Sequence, residues 1–266
     1  MSTLPEWVRK LSPAIPLKLM KISPGYDELA PTLRGLENNF GSLGTSIYKA
    51  RNEIRVIPTA QGKIVVKRFG KIFLINRFAY AWIRSSKAKR SYLNAHTLIK
   101  RGIATPYPIS YIEHFKGGLI RDSMYIYAYY EGEDNMRRVL KEKDYPDREN
   151  LLCSFARYAY SLLQKEVFHK DFSPGNILFE KKDSGYLFTL IDINRMQFGP
   201  VTPEKSHQVF RRLFADEATL RILAEAFASA SQEDAASVTE TMIGYSRRFI
   251  ARKTRKKKIK KWLHLS

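Results

Sequence analysis

His169-Lys170-Asp171-Phe172-Ser173-Pro174-Gly175-Asn176 decides how the chain is read, together with Ile191-Asp192-Ile193-Asn194 further on. The first stretch is His-x-Asp-x-x-x-x-Asn, and its Ser-Pro-Gly centre is turn chemistry that brings Asn176 back toward Asp171. Asp171 can accept or orient a hydroxyl proton, and Asn176 offers a carbonyl oxygen. Asp192 follows the apolar run Tyr186-Leu187-Phe188-Thr189-Leu190-Ile191, which predicts a strand. Two hard oxygen donors of this kind, with bound phosphate, suit Mg²⁺ or Mn²⁺. Upstream, Leu151, Leu152, Phe155, Ala159, Leu162 and Leu163 trace the buried face of a helix leading into the loop through Val167-Phe168.

The loop spacing is the catalytic-loop pattern of protein-kinase-like phosphotransferases. Phosphoryl transfer asks a protein mainly to place two oxygens in line and to neutralise phosphate charge. In that scheme Asp171 is the catalytic base, His169 belongs to the same loop, and Asn176 and Asp192 hold the metal. Gly62-Lys63-Ile64-Val65-Val66-Lys67-Arg68-Phe69 reads as a second decisive strand. Its period of two puts Val65 and Lys67 on one face, and Ile64 and Val66 on the other. Such a lysine reaches the α- and β-phosphates of ATP while Val65 covers the adenine; the plain alternative is a surface lysine on an edge strand. Phe40-Gly41-Ser42-Leu43-Gly44-Thr45 is either a phosphate-covering glycine hairpin, through Gly41 and Gly44, or an ordinary hairpin turn.

The helix expected over Ser85 to Arg101, with Ala88, Tyr92, Ala95, Leu98 and Ile99 on its apolar stripe, contains no carboxylate. Kinases use a glutamate of this helix to pair the strand lysine; here Ser91 and Asn94 are the polar side chains in its place. A strand from Ile109 to Glu113 and a tyrosine-rich one from Met124 to Tyr130 follow. Glu131-Gly132-Glu133-Asp134 reads as the hinge, so Glu131 and Glu133 are candidates to bond adenine or ribose. Beyond Phe198 a short connector leads to a helix over His207 to Ala230 and a second around Ala235 to Ile250, too little chain for a long peptide-binding segment.

The chain has 266 residues, 44% of them hydrophobic, enough for a substantial core. One cysteine, Cys153, excludes an internal disulfide and fits a reducing compartment. The first thirty residues carry no continuous apolar signal region, and the most apolar window, Ile72 to Ile83, is too short to span a bilayer; the expectation is a soluble, cytoplasmic protein. The 46 basic residues against 26 acidic ones give a net charge of +20, unevenly spread. Ile54 through Ile112 holds 12 Lys or Arg and no acid, and Thr241 to the end holds 10 and none. Two such blocks imply an anionic partner. The tail, with Ile259, Trp262 and Leu263 among its cations, can lie on an anionic membrane surface; RNA and plain solvation are the other readings.

Arg51-Asn52, the Lys67 strand, Leu74-Ile75-Asn76-Arg77, Ser86-Lys87-Ala88-Lys89-Arg90-Ser91-Tyr92, Thr105-Pro106, the His169–Asn176 loop and Leu190-Ile191-Asp192-Ile193-Asn194-Arg195-Met196 resemble the bacterial lipopolysaccharide kinases of the Kdo/WaaP (InaA-like) family. The likeness runs from about Tyr48 to Phe198. It implies an α+β, two-lobed protein-kinase-like fold, with an antiparallel-sheet lobe over 1–130 and a compact, mostly helical lobe over 131–266. It implies ATP-dependent phosphorylation of a Kdo or heptose hydroxyl in the inner core, at the cytoplasmic face of the inner membrane, with Lys67 as the ATP lysine. The anionic glycolipid acceptor, lipid A–core, matches the sign of the charge; Arg77, Lys87, Lys89 and Arg90 are candidates to meet it, and nucleic acid is the disfavoured partner. The rival readings are a RIO-like atypical serine/threonine kinase, an aminoglycoside- or choline-kinase-like enzyme, whose cationic substrates have the wrong sign, and a pseudokinase that binds without catalysis.

Overall fold

The structure, a computed structural model, describes residues 18–70, 85–116, 119–132 and 134–262. Residues 1–17, the window around Ile72–Ile83 with Arg77, Glu133 and Leu263 lie outside them. The chain forms two compact units, Met1–Thr97 with Pro106–Tyr130, and Leu98–Thr105 with Glu131–Ser266.

The first unit is built on an antiparallel sheet of six strands. In chain order these are β1 (Lys18–Ile22), β2 (Thr45–Lys49), β3 (Asn52–Thr59), β4 (Gly62–Phe69), β5 (Pro108–Lys116) and β6 (Leu119–Ala128), arranged β1-β5-β6-β4-β3-β2. Helix α1 (Ala30–Asn39) follows β1, and α2 (Lys87–Lys100) precedes β5. The period of two in β4 divides the core. Ile64 and Val66 join Leu33 and Leu36 of α1 on one face, and Phe69 joins Ala88 and Tyr92 of α2 with Tyr111 and Tyr125 on the other. Burying each large side chain contributes about 1.5–3 kcal/mol, so both helices are held by packing. The leader, which shows no period of its own, contributes an edge strand: β1 completes its backbone hydrogen bonds on β5, Lys18 opposite His114 through Ile22 opposite Ser110.

Three expectations need correction. The turn with Gly41 and Gly44 joins α1 to β2 and is not a hairpin at all. The hairpin before the lysine strand is β2–β3, whose tight turn is Ala50-Arg51 without a glycine. Gly44 has a different task. Its φ is +56°, and a Cβ there would sit 2.0 Å from the Val56 carbonyl oxygen, so only glycine lets this turn press against β3. Arg55 fastens it, its Nε donating to the Leu43 carbonyl at 2.7 Å. Second, Ile99 is 39% exposed rather than on the buried stripe. The helix closes at Gly102 (φ +65°) in a Schellman turn, Ile103 N–H donating to Leu98 O at 3.0 Å, and it is Leu98 and Ile103 that are buried.

In the second unit β7 (Asp134–Asn135) leads into α3 (Met136–Lys141), capped by the Asn135 side chain, and then α4 (Arg148–Gln164). Strands β8 (Val167–His169), β9 (Ile177–Lys182), β10 (Gly185–Leu190) and β11 (Met196–Phe198) pair as β10-β9-β7 and β11-β8. The buried face of α4 carries Leu151, Leu152, Phe155, Ala156, Ala159, Leu162 and Leu163. Beyond β11 lies the third correction. The continuous helix expected over His207 to Ala230 is broken into α5 (Pro203–Ser206), the 3₁₀ segment Val209–Arg212 and α6 (Glu217–Ser231). The break has a local cause. Phe214 takes a left-handed φ of 56°, and the Asp216 carboxylate restarts the helix by accepting the Thr219 N–H at 2.8 Å. The last helix, α7 (Ala235–Trp262), runs unbroken into the basic tail, since lysine and arginine are good helix formers. No helix among the described residues is long and apolar enough to cross a membrane.

Candidate active site

The loop after α4 is fixed by apolar packing first and by hydrogen bonds second. Phe172, 1% exposed, stacks on Phe155 of α4 with ring centroids 5.4 Å apart, which anchors the middle of His169–Asn176 in the core. Around that anchor the three motif residues interlock. The Asp171 N–H donates to His169 Nδ1 at 3.0 Å, and Asn176 Nδ2 donates to the Asp171 backbone carbonyl at 3.0 Å. With Nδ1 accepting, the ring proton is assigned to Nε2, which faces the Ile191 carbonyl at 3.4 Å. Burial lowers the pKa of His169 and favours this neutral form against the opposing pull of Asp171 and Asp192. Both ring nitrogens are thus turned to backbone. His169, expected among the catalytic groups, bonds the Asp171 N–H and faces the Ile191 carbonyl.

Asn176 and Asp192 are brought together by the β9–β10 hairpin. Ile177 opens β9 opposite Leu190, the last residue of β10, so Asn176 and Ile191 are cross-strand neighbours, and the Ile191 N–H donates to the Asn176 carbonyl at 2.9 Å. Asp192 comes next, in the left-handed region (φ 52°) that aspartate tolerates better than most residues. Asn194 Nδ2 donates to its Oδ1 at 2.7 Å. The donor chemistry fits a hard divalent cation. The Asn176 amide nitrogen is spent on the Asp171 carbonyl, which leaves its side-chain oxygen as the acceptor, and Asp192 adds a carboxylate. No group of three His, Cys, Asp or Glu among the described residues forms a metal cluster; two protein oxygens, completed by phosphate and water, are the usual pattern for Mg²⁺.

The Asp171 carboxylate has partners that local motif reading missed. Arg212 Nη2 lies 2.7 Å from Oδ1 and Arg195 Nη1 lies 3.8 Å from Oδ2, with the Asp171 side chain 25% exposed. Arg212 is itself propped, its guanidinium 5.0 Å from the Phe249 ring of α7. Arg195 stands inside the Asp-Ile-Asn-Arg-Met run and was open to notice. Arg212 reaches Asp171 through tertiary folding alone and has no local sequence signal.

In the first unit Lys67 sits on β4, between β3 and β6, opposite Tyr125 and Ile54. It is not an edge lysine: it is 8% exposed, with Nζ 5.4 Å from the Phe69 ring. Val65, 4% exposed, shares its face of the strand. Ser91, one of the two polar residues expected near the lysine, spends its hydroxyl on the Lys87 carbonyl at 2.9 Å. The sheet register sets a buried carboxylate, Glu113, opposite Ser123 and one row along from Lys67 on the same face. Glu131 is exposed just after β6.

The sheet order, the helix after the lysine strand and the interlocked loop after α4 define the protein-kinase-like fold. Among solved structures, the chain is similar to "WaaP in complex with acyl carrier protein", with a TM-score of 0.60 over 90% of this chain and 98% of that one. Identity is 14%, so the likeness is one of fold. No protein-family model and no curated protein matches the sequence.

Proposed function

We propose that the chain is an ATP-dependent phosphotransferase that phosphorylates a sugar hydroxyl, of Kdo or heptose, in the lipopolysaccharide inner core. The observation that carries this reading is Asn176 hydrogen-bonded both to the Asp171 carbonyl and to Ile191, the residue before Asp192, within a kinase-like fold. The resemblance of the Ser86–Tyr92 and Asp192–Met196 runs to the Kdo/WaaP family supplies the acceptor class. Asp171 orients the acceptor hydroxyl and takes its proton as the oxygen attacks the γ-phosphorus; the bond from that phosphorus to the β–γ bridging oxygen breaks and ADP leaves. Lys67 pairs with phosphate oxygens, and Val65 supplies apolar surface for the base. A bound Mg²⁺ or Mn²⁺, held by Asn176 and Asp192, would neutralise charge developing on the phosphates. Arg195 and Arg212 hold the Asp171 carboxylate in one orientation. The short, broken segment between β11 and α6 supports a small acceptor over a peptide.

Phosphate transfer from labelled ATP with Mg²⁺ to purified Kdo2–lipid A is the direct test, and labelled lipid is the expected result. Labelling of heptosylated core alone would move the acceptor to heptose. Labelling of neither, by a chain that binds ATP, would refute the sugar-kinase reading and favour the protein-kinase or pseudokinase alternative.

The end of α7 supports association with an anionic membrane surface at the cytoplasmic face. Ile259 and Trp262, 44% and 80% exposed, stand three residues apart and so share a helix face among lysines. At about 1 kcal/mol per cation near such a surface, a chain ending at Lys256 should bind phosphatidylglycerol vesicles at least tenfold more weakly. The difference should shrink as salt rises. Equal binding by the folded, shortened chain at low salt would remove the tail as the anchor.

A further inference from the structure

Helix α7 presents a second cationic feature, upstream of its end and along one side of a surface groove. Tyr245, Arg248, Phe249, Arg252, Lys253 and Lys256 recur at helical spacing and line one side of a groove of about 560 Å³, whose opposite side includes Arg211. Five of the lining side chains are cations and none is a carboxylate. Beside the groove, Glu204 Oε1 is 3.4 Å from the Tyr245 hydroxyl, and Arg248 also borders a neighbouring pocket with Glu217, Glu225 and Glu240. Arg248, Arg252 and Lys256 stand four residues apart, a like-charge series that costs an isolated helix stability at each step. Arg211 is half-buried in the wall beside Arg212; that partial burial first, and then the neighbouring charge, pull its pKa down. Positive charge is therefore concentrated in a concave site of ligand size whose lining, among the described residues, includes no carboxylate.

The groove also has a fixed relation to the candidate base. Phe249 is part of its wall, and the same ring supports the Arg212 guanidinium at 5.0 Å, which holds Asp171 Oδ1 at 2.7 Å. One ring and one guanidinium separate the groove from the carboxylate. We propose that this groove is an anion-recognition site that takes the phosphate or carboxylate groups of a saccharide acceptor and thereby presents its hydroxyl to Asp171. The placement of the hydroxyl rests on the phosphotransferase reading above; the anion site rests on the groove alone.

The test separates the two. Binding of inositol hexakisphosphate to the full chain, with the nucleotide site saturated by Mg²⁺-ADP, is measured by calorimetry beside the double variant Arg248→Gln/Arg252→Gln. Both side chains are exposed, so the variant should keep the wild-type circular dichroism. One binding site, weakened at least thirtyfold in the variant and by added salt, is expected. No binding, or equal binding by both proteins, would overturn the anion site. Phosphate transfer to Kdo2–lipid A, free in detergent or carried in phosphatidylcholine vesicles, is then compared. A rise of at least tenfold in acceptor KM with the KM for ATP unmoved supports acceptor placement, and a rise seen only with vesicles assigns the effect to lipid-borne phosphate. An unchanged acceptor KM overturns the placement while leaving the kinase reading standing. Binding lost in the variant of a protein that phosphorylates no saccharide sinks the sugar-kinase reading and leaves the anion site.

Discussion

Asp171→Ala is expected to lower phosphate transfer about 10²–10⁴-fold, the usual contribution of a positioned general base, with little change in ATP affinity. The loop should survive the change, because what ties it together at this residue is backbone. His169 receives a hydrogen bond from the Asp171 N–H, and Asn176 gives one to the Asp171 carbonyl oxygen. Phe172 remains stacked on Phe155. Among the described residues the side chain itself meets only Arg212 and Arg195 as ion pairs, so truncation leaves those two guanidiniums without their carboxylate but opens no core cavity. Single-turnover transfer beside nucleotide binding distinguishes loss of the base from loss of the fold. Turnover within tenfold of wild type, in a variant with normal ATP affinity, would remove Asp171 from the role.

The parts of this site that were legible in the sequence are those set by neighbours in the chain. The spacing His169, Asp171, Asn176 is a turn constraint. The alternation around Lys67 and the 3.6-residue stripe of α4 are local periodicities that burial then used as written. What escaped depends on contacts across sequence. Glycines 41 and 44 resembled a hairpin because only their composition was visible; their position between a helix and a strand follows from how α1 packs on the sheet. The helix expected after His207 failed at Phe214 and Asp216, where a left-handed residue and an N-cap outweighed a nearly continuous apolar pattern. The cations of α7 were visible as a run, whereas the division between those lining the groove with Arg211 and those at the exposed end needed the neighbouring segment in place. Arg212 is the clearest case: nothing near it in sequence marks it, yet it holds the Asp171 carboxylate.

The second large effect belongs to Asp192. Replacement by asparagine is the informative change, because asparagine also tolerates the left-handed backbone found there, and its side-chain oxygen can still accept the bond from Asn194. The hairpin bond between Ile191 and Asn176 is backbone on both sides and stays. What is lost is one negative charge from a pair of oxygens in which Asn176 supplies none. A unit charge at about 4 Å in a partly buried site is worth on the order of 4 kcal/mol per unit charge of the cation; after the cation's other ligands compensate, a loss of about 10²-fold in Mg²⁺-dependent ATP affinity is expected. Transfer should fall further, since a metal held by Asn176 and Asp192 would also neutralise charge developing on the leaving phosphate. Titration of ATP with and without Mg²⁺ reads the effect: in Asp192→Asn the two curves should nearly coincide, whereas in the wild-type protein the metal should tighten binding. A variant whose ATP affinity still responds fully to Mg²⁺ would place the metal elsewhere, and Asn176 would then lose its proposed function too, because the β9–β10 hairpin makes the two residues one site.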